Sequence, residues 1–449
     1  MISFHYQNAT AGRVGSDHGL SDVELDEAIA RTGSLCSRFA QDAEKGTHGF
    51  MRLPRDRSTP AGVSAFAREN RGRFRNFIQI GIGGSALGAT AIHAALSHRF
   101  HNETDARPRF YVLDNVDPEE TRALFDVVEP RETLVHVVTK SGDTTETMAG
   151  FLVALRRLKD ALGDGWKKNL VVTTDPGKGF LRTFAREEGV PAFDLPEPVG
   201  GRFSVLTPVG LLPAAMLGID PALLLDGASA MEAKCRRADP RTNPGYLFAL
   251  VAHLLDTKRG KRIHVMMPYA RALRDVGDWF RQLWAESLGK NPQVGPTPML
   301  ALGTTDQHSQ VQLFNEGPND KYVILLECEK FRQDVTVPEA LPANAPPAFL
   351  QGRTFSQILA AMKSGTETAL VQNRRPNATL HFEEISAASL GACFYLLEAA
   401  TLYAGWLYGV NPFDQPGVEA GKKAAFALLG KPGFSPTAPL PEDPRYVVV

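Results

Sequence analysis

The sequence predicts an α/β protein with two doubly wound, Rossmann-like parallel sheets covered by helices, and further helical segments at both ends. Three observations support this fold class. Strand-like and helix-like segments alternate from residue 70 onward, a helix-rich stretch over 203–259 interrupts them, and the alternation then resumes. Such βαβα order is typical of a parallel sheet with helices on both faces. Because ligands bind such sheets at the carboxyl ends of strands, we expect functional residues directly after strands.

The first half of the chain contains the first predicted sheet. Before the alternation begins, Ser21 is expected to cap a helix over 22–31, with Glu24 in the capping-box position. The short apolar runs that follow are typical of buried strands. We predict strands over 77–82, 110–114, 134–139 and 170–174, and helices near 86–98, 118–128, 144–161 and 178–187.

The second half repeats this pattern after a proline-rich stretch at 191–198. We predict strands over 262–267, 296–301, 322–328 and 379–385, and helices over 275–289, 305–315, 356–372 and 387–407. The predicted organisation is an N-terminal helical segment (1–50), a first α/β domain (51–200), a second α/β domain (201–410) and a C-terminal helix and tail (411–449).

Composition excludes several classes of partner. The 449 residues are 43% apolar and 22% charged, and the net charge of −1 provides no basic surface for nucleic acid or anionic lipid. The first residues lack a basic segment followed by an apolar one, so we expect no signal peptide. Four scattered cysteines, Cys36, Cys235, Cys328 and Cys393, fit neither a disulfide framework nor a zinc site. We therefore expect a cytoplasmic protein with neither a nucleic-acid nor a membrane partner.

The stretch FIQIGIGGSALGAT at 77–90 combines a strand, a glycine turn and a helix start. Gly83 and Gly84 let the backbone turn where a side chain would clash. Ser85 lies where a helix N-cap belongs, and the free N–H groups of a helix N-terminus attract anions. This stretch alone leaves three interpretations open: an anion site, a dinucleotide-binding GxGxxA turn, and a tight βα connection without a ligand.

The stretch TKSGDTTET at 139–147 follows another predicted strand. The hydroxyls of Thr139, Ser141 and Thr144 could hold a phosphate together with helix N–H groups. The alternative is a capping motif in which Ser141 or Thr144 is the N-cap. Asp143 is unfavourable beside a dianion, so we expect it to point away or to contact a lysine.

Arg202 lies in GGRFS, at the start of a predicted helix over 204–218. An arginine at a helix N-terminus faces the unfavourable end of the helix dipole. It therefore needs an anionic partner, which is either a carboxylate of the protein or a ligand that the flanking glycines allow to come close.

The segment DWFRQLWAESLGK at 278–290 predicts an amphipathic helix. Gln282, Glu286 and Lys290 share one face at four-residue spacing. By pattern alone, this face is an exposed Glu–Lys stripe.

Two later stretches carry further polar residues. His308, in GTTDQHSQ, borders an apolar helix face, so a core histidine is at least as consistent with the pattern as a catalytic one. Asp414 or Gln415 could cap the last helix, with Pro416 in its first turn. Lys422, in that helix, has the pattern of a solvated lysine.

Six motifs in this order resemble the phosphoglucose isomerase family, in its shorter bacterial type, from residue 75 to the C-terminus. The motifs are GIGGSALG at 81–88, TKSGDTTET at 139–147, GGRFS at 200–204, ESLGK at 286–290, GTTDQHSQ at 303–310 and DQPGVEAGK at 414–422. The family fold consists of two sugar-isomerase (SIS) domains, in agreement with the two predicted α/β halves. The resemblance disfavours the dinucleotide interpretation of the first glycines.

The resemblance implies a role for each matching residue. Glu286 matches the base that moves a proton between C1 and C2, and Arg202 matches the arginine beside the enediolate. His308 and Lys422 match the pair assigned to ring opening. The remaining matches contact the substrate, most of them at its phosphate: Gly84, Ser85, Thr139, Lys140, Ser141, Thr144, Gln282 and Gln415.

The resemblance also implies the reaction. It is the reversible isomerisation of D-glucose 6-phosphate and D-fructose 6-phosphate in glycolysis and gluconeogenesis, by ring opening and a cis-enediol(ate) intermediate. Hydrogen moves as a proton within one molecule, so we expect no cofactor and no metal. The family's active site lies at a homodimer interface, and its histidine comes from the neighbouring subunit. Thr139 for serine, Asp143 for threonine and Pro416 for an aromatic residue depart from the family pattern.

Three alternatives remain. A non-catalytic SIS protein that senses a sugar phosphate has no need of Glu286, His308 and Lys422 together. An NAD(P)-dependent oxidoreductase needs an acidic residue roughly 20 positions beyond the glycines, whereas Asp114 lies 33 residues after Gly81. An isomerase that also accepts mannose 6-phosphate, which differs only at C2, is not distinguished by the sequence.

Overall fold

Ten strands form two five-stranded sheets in the part of the chain that the structure describes. The computed structural model describes residues 1–142, 144–339, 348–435, 440 and 443–448. Asp143, whose side chain we expected to avoid a bound dianion, lies outside the described residues. The fold class expected from the sequence, parallel sheets flanked by helices, is confirmed.

The N-terminal segment is mostly helical but begins with a strand that the sequence analysis missed. The capping box predicted before the second helix is present: Glu24 N donates to Ser21 Oγ at 3.2 Å, and Ser21 N donates to Glu24 Oε2 at 2.9 Å. The elements of this segment are β1 (Ile2–His5), α1 (Ala11–Val14), α2 (Asp22–Thr32), α3 (Ser34–Lys45) and α4 (Ser58–Asn70).

The first sheet has the order β3-β2-β4-β5-β6, and all its strands are parallel. The four predicted strands and helices are present within a few residues. Three of these strands are buried along their whole length, whereas the edge strand Arg109–Leu113 is only partly buried. Among the described strands of this sheet, only β6, a short edge strand in the proline-rich stretch, was not predicted. The elements are β2 (Asn76–Ile80), α5 (Leu87–Leu96), β3 (Arg109–Leu113), α6 (Pro118–Val127), β4 (Thr133–Val138), α7 (Thr145–Leu162), β5 (Leu170–Thr174), α8 (Phe180–Glu188) and β6 (Ala192–Asp194).

Three helices connect the sheets, and each has proline at its first position. The preceding residue caps the helix with its side chain, at Thr207, Asp220 and Asn243. The predicted start at residue 204 is therefore wrong: the helix begins four residues later, and Gly201–Phe203 form a 3-10 turn instead. The three helices are α9 (Pro208–Met216), α10 (Pro221–Cys235) and α11 (Pro244–Arg259).

The second sheet has the order β1-β10-β9-β7-β8, in which only β1 is antiparallel. The helix predicted over 305–315 is divided in two. The elements are β7 (Ile263–Pro268), α12 (Arg274–Leu288), β8 (Thr297–Leu300), α13 (Thr305–Ser309), α14 (Val311–Glu316), β9 (Lys321–Lys330), α15 (Phe355–Gln372), β10 (Asn377–Glu384), α16 (Ala387–Tyr408) and α17 (Glu419–Leu428).

The core of the molecule is built around α16. This is the one helix, among those described, that is long and apolar enough to cross a membrane, but 89% of its most apolar window is buried inside the protein. It packs against α10, α11 and α12. α12 also packs against α5 and against the 3-10 turns at Gly83–Ser85 and Gly201–Phe203, so it connects the second sheet with segments that follow strands of the first sheet.

Candidate active site

A buried arginine lies at the centre of the site. Arg202 is 4% exposed, and burial lowers the pKa of its guanidinium, although the Glu286 carboxylate opposes this effect. Its Nε donates to Ser287 Oγ at 2.8 Å. Its Nη1 donates to Glu286 Oε2 at 3.1 Å and to Gln415 Oε1 at 2.9 Å. The anionic partner expected for this arginine is therefore a carboxylate of the protein.

The other terminal nitrogen of Arg202 binds the backbone of the turn before the last helix. Its Nη2 donates to Pro412 O at 2.5 Å and to Asp414 O at 2.9 Å. The guanidinium thus donates all five of its N–H groups to the protein. Of the two terminal nitrogens, Nη1 is bound to side chains and Nη2 to backbone oxygens, so the partners of Nη1 can change without moving the backbone.

Glu286 is held through both carboxylate oxygens. While Oε2 accepts from Arg202, Oε1 accepts from Gln282 Nε2 at 2.9 Å. The side chain retains 33% exposure, so the carboxylate stays accessible. Gln282, Glu286 and Lys290 share one face, as predicted. The prediction that this face is an exposed Glu–Lys stripe is wrong, because the face lines the site and Lys290 pairs with Asp414 rather than with Glu286.

Two close backbone approaches bring the first glycine turn to this group. A Cβ added to Gly84 would lie 2.2 Å from Gly201 O, and one added to Gly83, whose φ is +58°, would lie 2.7 Å from Gln282 Nε2. Glycine is therefore required for the turn to contact both Arg202's turn and α12. Ser85 is half-buried at the end of a 3-10 turn, and α5 begins at Leu87 without a side-chain cap, so the predicted N-cap role is wrong.

Three hydroxyls meet in front of α7. Thr139 Oγ1 lies 2.9 Å from Thr144 Oγ1, and Ser141 Oγ lies 3.4 Å from Thr144 Oγ1 and 3.5 Å from Thr139 Oγ1. Thr144 occupies the N-cap position, but its side chain makes no capping hydrogen bond. The capping alternative is therefore correct in placing Thr144 at the N-cap, but wrong in expecting its hydroxyl to cap the helix. Hydroxyls beside free helix N–H groups form a cradle for an oxyanion.

Lys140 ties this cradle to the segment before Arg202. Its Nζ donates to Glu197 O at 2.8 Å and to Val199 O at 2.9 Å. Burial lowers the pKa of this ammonium group, and the nearby Asp175 opposes that effect. Two of its three N–H groups are therefore used in joining two loops, and one remains for a ligand.

His308 and Lys422 lie apart from this group. Among the described contacts, neither side chain hydrogen-bonds to Arg202 or Glu286. His308 is exposed and borders a surface cavity of about 250 Å³, so it is not a core histidine. Lys422 is 53% exposed and forms an ion pair with Glu419 at 3.3 Å. Within the described ranges, no group of three or more His, Cys, Asp or Glu side chains could hold a metal ion.

The groups that accept from Nε and Nη2 of Arg202 were not predicted from the sequence. Ser287 is fully buried, yet it lies beside the stripe rather than on it. The carbonyls of Pro412 and Asp414 are backbone groups, which no side-chain pattern can indicate. A usable signal was the arginine itself, because a buried guanidinium requires acceptors for five N–H groups.

Comparison with known proteins identifies the family. The family model for phosphoglucose isomerase matches residues 64–436. The glucose-6-phosphate isomerase of Carboxydothermus hydrogenoformans is 44% identical, over 96% of both chains. A glucose-6-phosphate isomerase of Thermus thermophilus is 43% identical, over 88% of this chain and 95% of the relative.

Solved structures agree in fold. A hypothetical protein from Thermus thermophilus superposes with a TM-score of 0.84 and 38% identity, over 96% of this chain and 100% of that one. A glucose-6-phosphate isomerase from Chlamydia trachomatis, with a TM-score of 0.74 and 24% identity over 83% of this chain and 73% of that one, shares the fold. With the family model and the relatives covering most of its length, the chain belongs to the phosphoglucose isomerase family.

Proposed function

We propose that this protein is an aldose–ketose isomerase that interconverts D-glucose 6-phosphate and D-fructose 6-phosphate. The observation that carries the proposal is the Glu286 carboxylate, which is accessible and is held by Gln282 and Arg202. A carboxylate fixed in this way can remove a proton from one carbon and return it to the next. Membership of the family supports the same reaction and substrates.

Arg202 can stabilise the intermediate without moving. In the free enzyme its Nη1 is paired with ionised Glu286. When Glu286 takes the substrate proton it becomes neutral, and the negative charge passes to the enediolate oxygen. The fixed guanidinium then faces the same total charge as before, so the proton transfer needs little reorganisation of the site.

The hydroxyl cradle is the proposed phosphate site. Thr139, Ser141 and Thr144 supply hydroxyls, and the first turn of α7 supplies N–H groups and the positive end of its dipole. Ser85 is assigned to the same phosphate by its match to the family motif. Lys140 contributes positive charge from a fixed position. Gly84 leaves room for close packing at its turn, and Gln282 and Gln415 line the space beside Glu286.

Ring opening would fall to His308 and Lys422, neither of which hydrogen-bonds to Glu286 among the described contacts. We propose that two chains form a homodimer in which His308 of one subunit completes the site of the other. In support, His308 borders an apolar cavity with Phe355 58% exposed and Met362 42% exposed, a surface that a second copy could cover. The substrates are small phosphorylated sugars, and we expect the enzyme to act on them in the cytoplasm without metal or cofactor.

A coupled assay tests the proposal. Wild type should convert fructose 6-phosphate to glucose 6-phosphate, and Glu286→Gln, which keeps shape but removes the base, should lose at least about a thousandfold in kcat while still binding substrate. Glu187→Gln, an exposed acid on α8, is the matched control and should be fully active. If wild type binds the sugar phosphate without converting it, the protein is a sugar-phosphate sensor rather than an isomerase. Equal activity of Glu286→Gln would show that the base is misassigned.

A further inference from the structure

The turn that holds the back of Arg202 is itself held by a lysine outside the proposed catalytic group. Lys290 Nζ donates to the backbone oxygen of Asp414 and, at 2.9 Å, to its Oδ1. The ammonium group lowers the pKa of the Asp414 carboxyl. Only 9% of the Lys290 side chain is exposed. The Asp414 side chain is 53% exposed, so solvent weakens the ion pair itself, and the contact of the buried ammonium group with the backbone oxygen is the restraint that matters for the turn.

One carbonyl oxygen joins Lys290 to the site. The oxygen of Asp414 accepts from Lys290 Nζ and also, at 2.9 Å, from Arg202 Nη2. The next residue, Gln415, accepts from Arg202 Nη1 through its side chain. A shift of the backbone at 414 would therefore move two acceptors of the guanidinium: the carbonyl oxygen of Asp414, which binds Nη2, and the side chain of Gln415, which binds Nη1.

Besides these hydrogen bonds, the turn is held by packing of Phe413, whose ring centroid lies 4.5 Å from that of His48 and 5.1 Å from that of Phe203. Asn411 Nδ2 donates to Asp414 Oδ2 at 2.9 Å, and Phe413 N donates to Asn411 Oδ1 at 3.1 Å. Both hydrogen bonds lie within the turn itself. Among the described contacts, the side-chain hydrogen bonds that connect residues 412–415 to the rest of the protein come from Arg202 and Lys290.

We propose that Lys290 is a positioning residue for the isomerisation: by anchoring Asp414 to the end of α12, it fixes the guanidinium of Arg202 relative to Glu286. The inference rests on the proposed function. Lys290 follows the base by four residues and comes directly after Gly289, the C-cap of α12. The base and the anchor of its arginine are therefore joined by a short stretch of backbone at the end of one helix.

The test is steady-state kinetics of Lys290→Met in the coupled assay. Because a small misplacement of a catalytic group is expensive, kcat should fall by about 10- to 100-fold. KM should change by less than about threefold, since the phosphate cradle is untouched. Lys290→Arg can still donate to both oxygens of Asp414 and should recover most of the activity. Lys330→Met breaks an exposed pair with Glu383 at 2.9 Å and should leave kcat unchanged.

A double-mutant cycle shows whether Lys290 acts through Arg202. In an Arg202→Lys background the guanidinium that Lys290 would position is absent, so adding Lys290→Met should lower kcat by less than about threefold. If the two substitutions lower kcat independently, so that their effects multiply, the inference is overturned. It is also overturned if Lys290→Met keeps the kcat of wild type. If Lys290→Met does not fold, Asp414→Asn takes its place, with a smaller loss of kcat expected and unchanged kcat again contradicting the inference. An inactive wild type would instead defeat the proposed function, and the inference with it.

Discussion

Replacement of Arg202 by lysine is the most informative single change at this site. Lysine keeps the positive charge but exchanges a planar fork with five donors for a point charge with three. Arg202 donates all five N–H groups, so at least two of its present acceptors lose their donor. The three donors of the lysine would then be shared between Glu286 and the four other acceptors that Arg202 now binds.

The expected magnitude follows from this count. Each buried acceptor left without a donor costs about 1–3 kcal/mol, so two cost about 2–6 kcal/mol, shared between folding and the transition state. Loss of one preorganised partner of a developing oxyanion costs about 3–4 kcal/mol of the activation barrier, which is a 100- to 1000-fold loss in kcat. We therefore expect Arg202→Lys to lose about 100- to 1000-fold in kcat/KM, and about 2 kcal/mol of unfolding free energy.

Two measurements separate these effects. The coupled assay gives kcat and KM, and urea unfolding gives the free energy of unfolding. Arg241→Lys, a change at a guanidinium that is 60% exposed and paired with Asp26, is the matched control and should alter neither quantity. Activity of Arg202→Lys within about threefold of wild type would refute the argument, because charge alone would then suffice and the fork geometry would be irrelevant.

Three further predictions concern the cradle, the glycine turn and the sheet. Thr139→Val removes a hydroxyl 2.9 Å from that of Thr144 and should raise KM by about tenfold in the coupled assay, whereas Thr139→Ser should not. Gly84→Ala places a methyl 2.2 Å from Gly201 O, so the two turns must separate, and kcat should fall while far-ultraviolet circular dichroism stays that of wild type. Burial lowers the pKa of His136 to about 3. The unfolded chain protonates near pH 6.5, so below that pH stability is lost by about 1.4 kcal/mol per pH unit. His136→Gln should remove this contribution to the difference in unfolding free energy between pH 7.5 and pH 5.5, measured by urea unfolding. An unchanged pH dependence would contradict the burial argument.

The fold was predictable where local pattern and tertiary environment agree. The central strands are continuous apolar runs because both their faces are covered, and their helices carry caps that can be read in the sequence. The two strands that were missed lack such signals. β6 has three residues and one neighbour, Val172 to Thr174 of β5. β1 pairs with β10 at the other end of the chain, so nothing local specifies its partner.

The site was less predictable from physical pattern because its environment is assembled from distant segments. Glu286 and Lys290 look like a solvated pair on a helix, and the resemblance, not the pattern, singled out the glutamate. The structure shows what covers them: the turn at 412–415 and the 3-10 turn at Gly201–Phe203. Each lies more than 80 residues from Glu286 in sequence, beyond the range of any helical periodicity.

The placement of Arg202 shows how this fold can hold a buried cation in one orientation. The residue lies in a 3-10 turn against which the turn at Gly84 packs too closely for any side chain. Behind the guanidinium lie a buried hydroxyl and two backbone carbonyls, which have no charge to lose or gain. In front lie Glu286 and Gln415, the two acceptors that a substrate could replace. The neutral acceptors keep the guanidinium in position, while the acceptors on the other side can be exchanged for substrate. The negative charge can therefore move from the base to the substrate while the cation stays in place. This is the physical condition for stabilising an enediolate with little reorganisation.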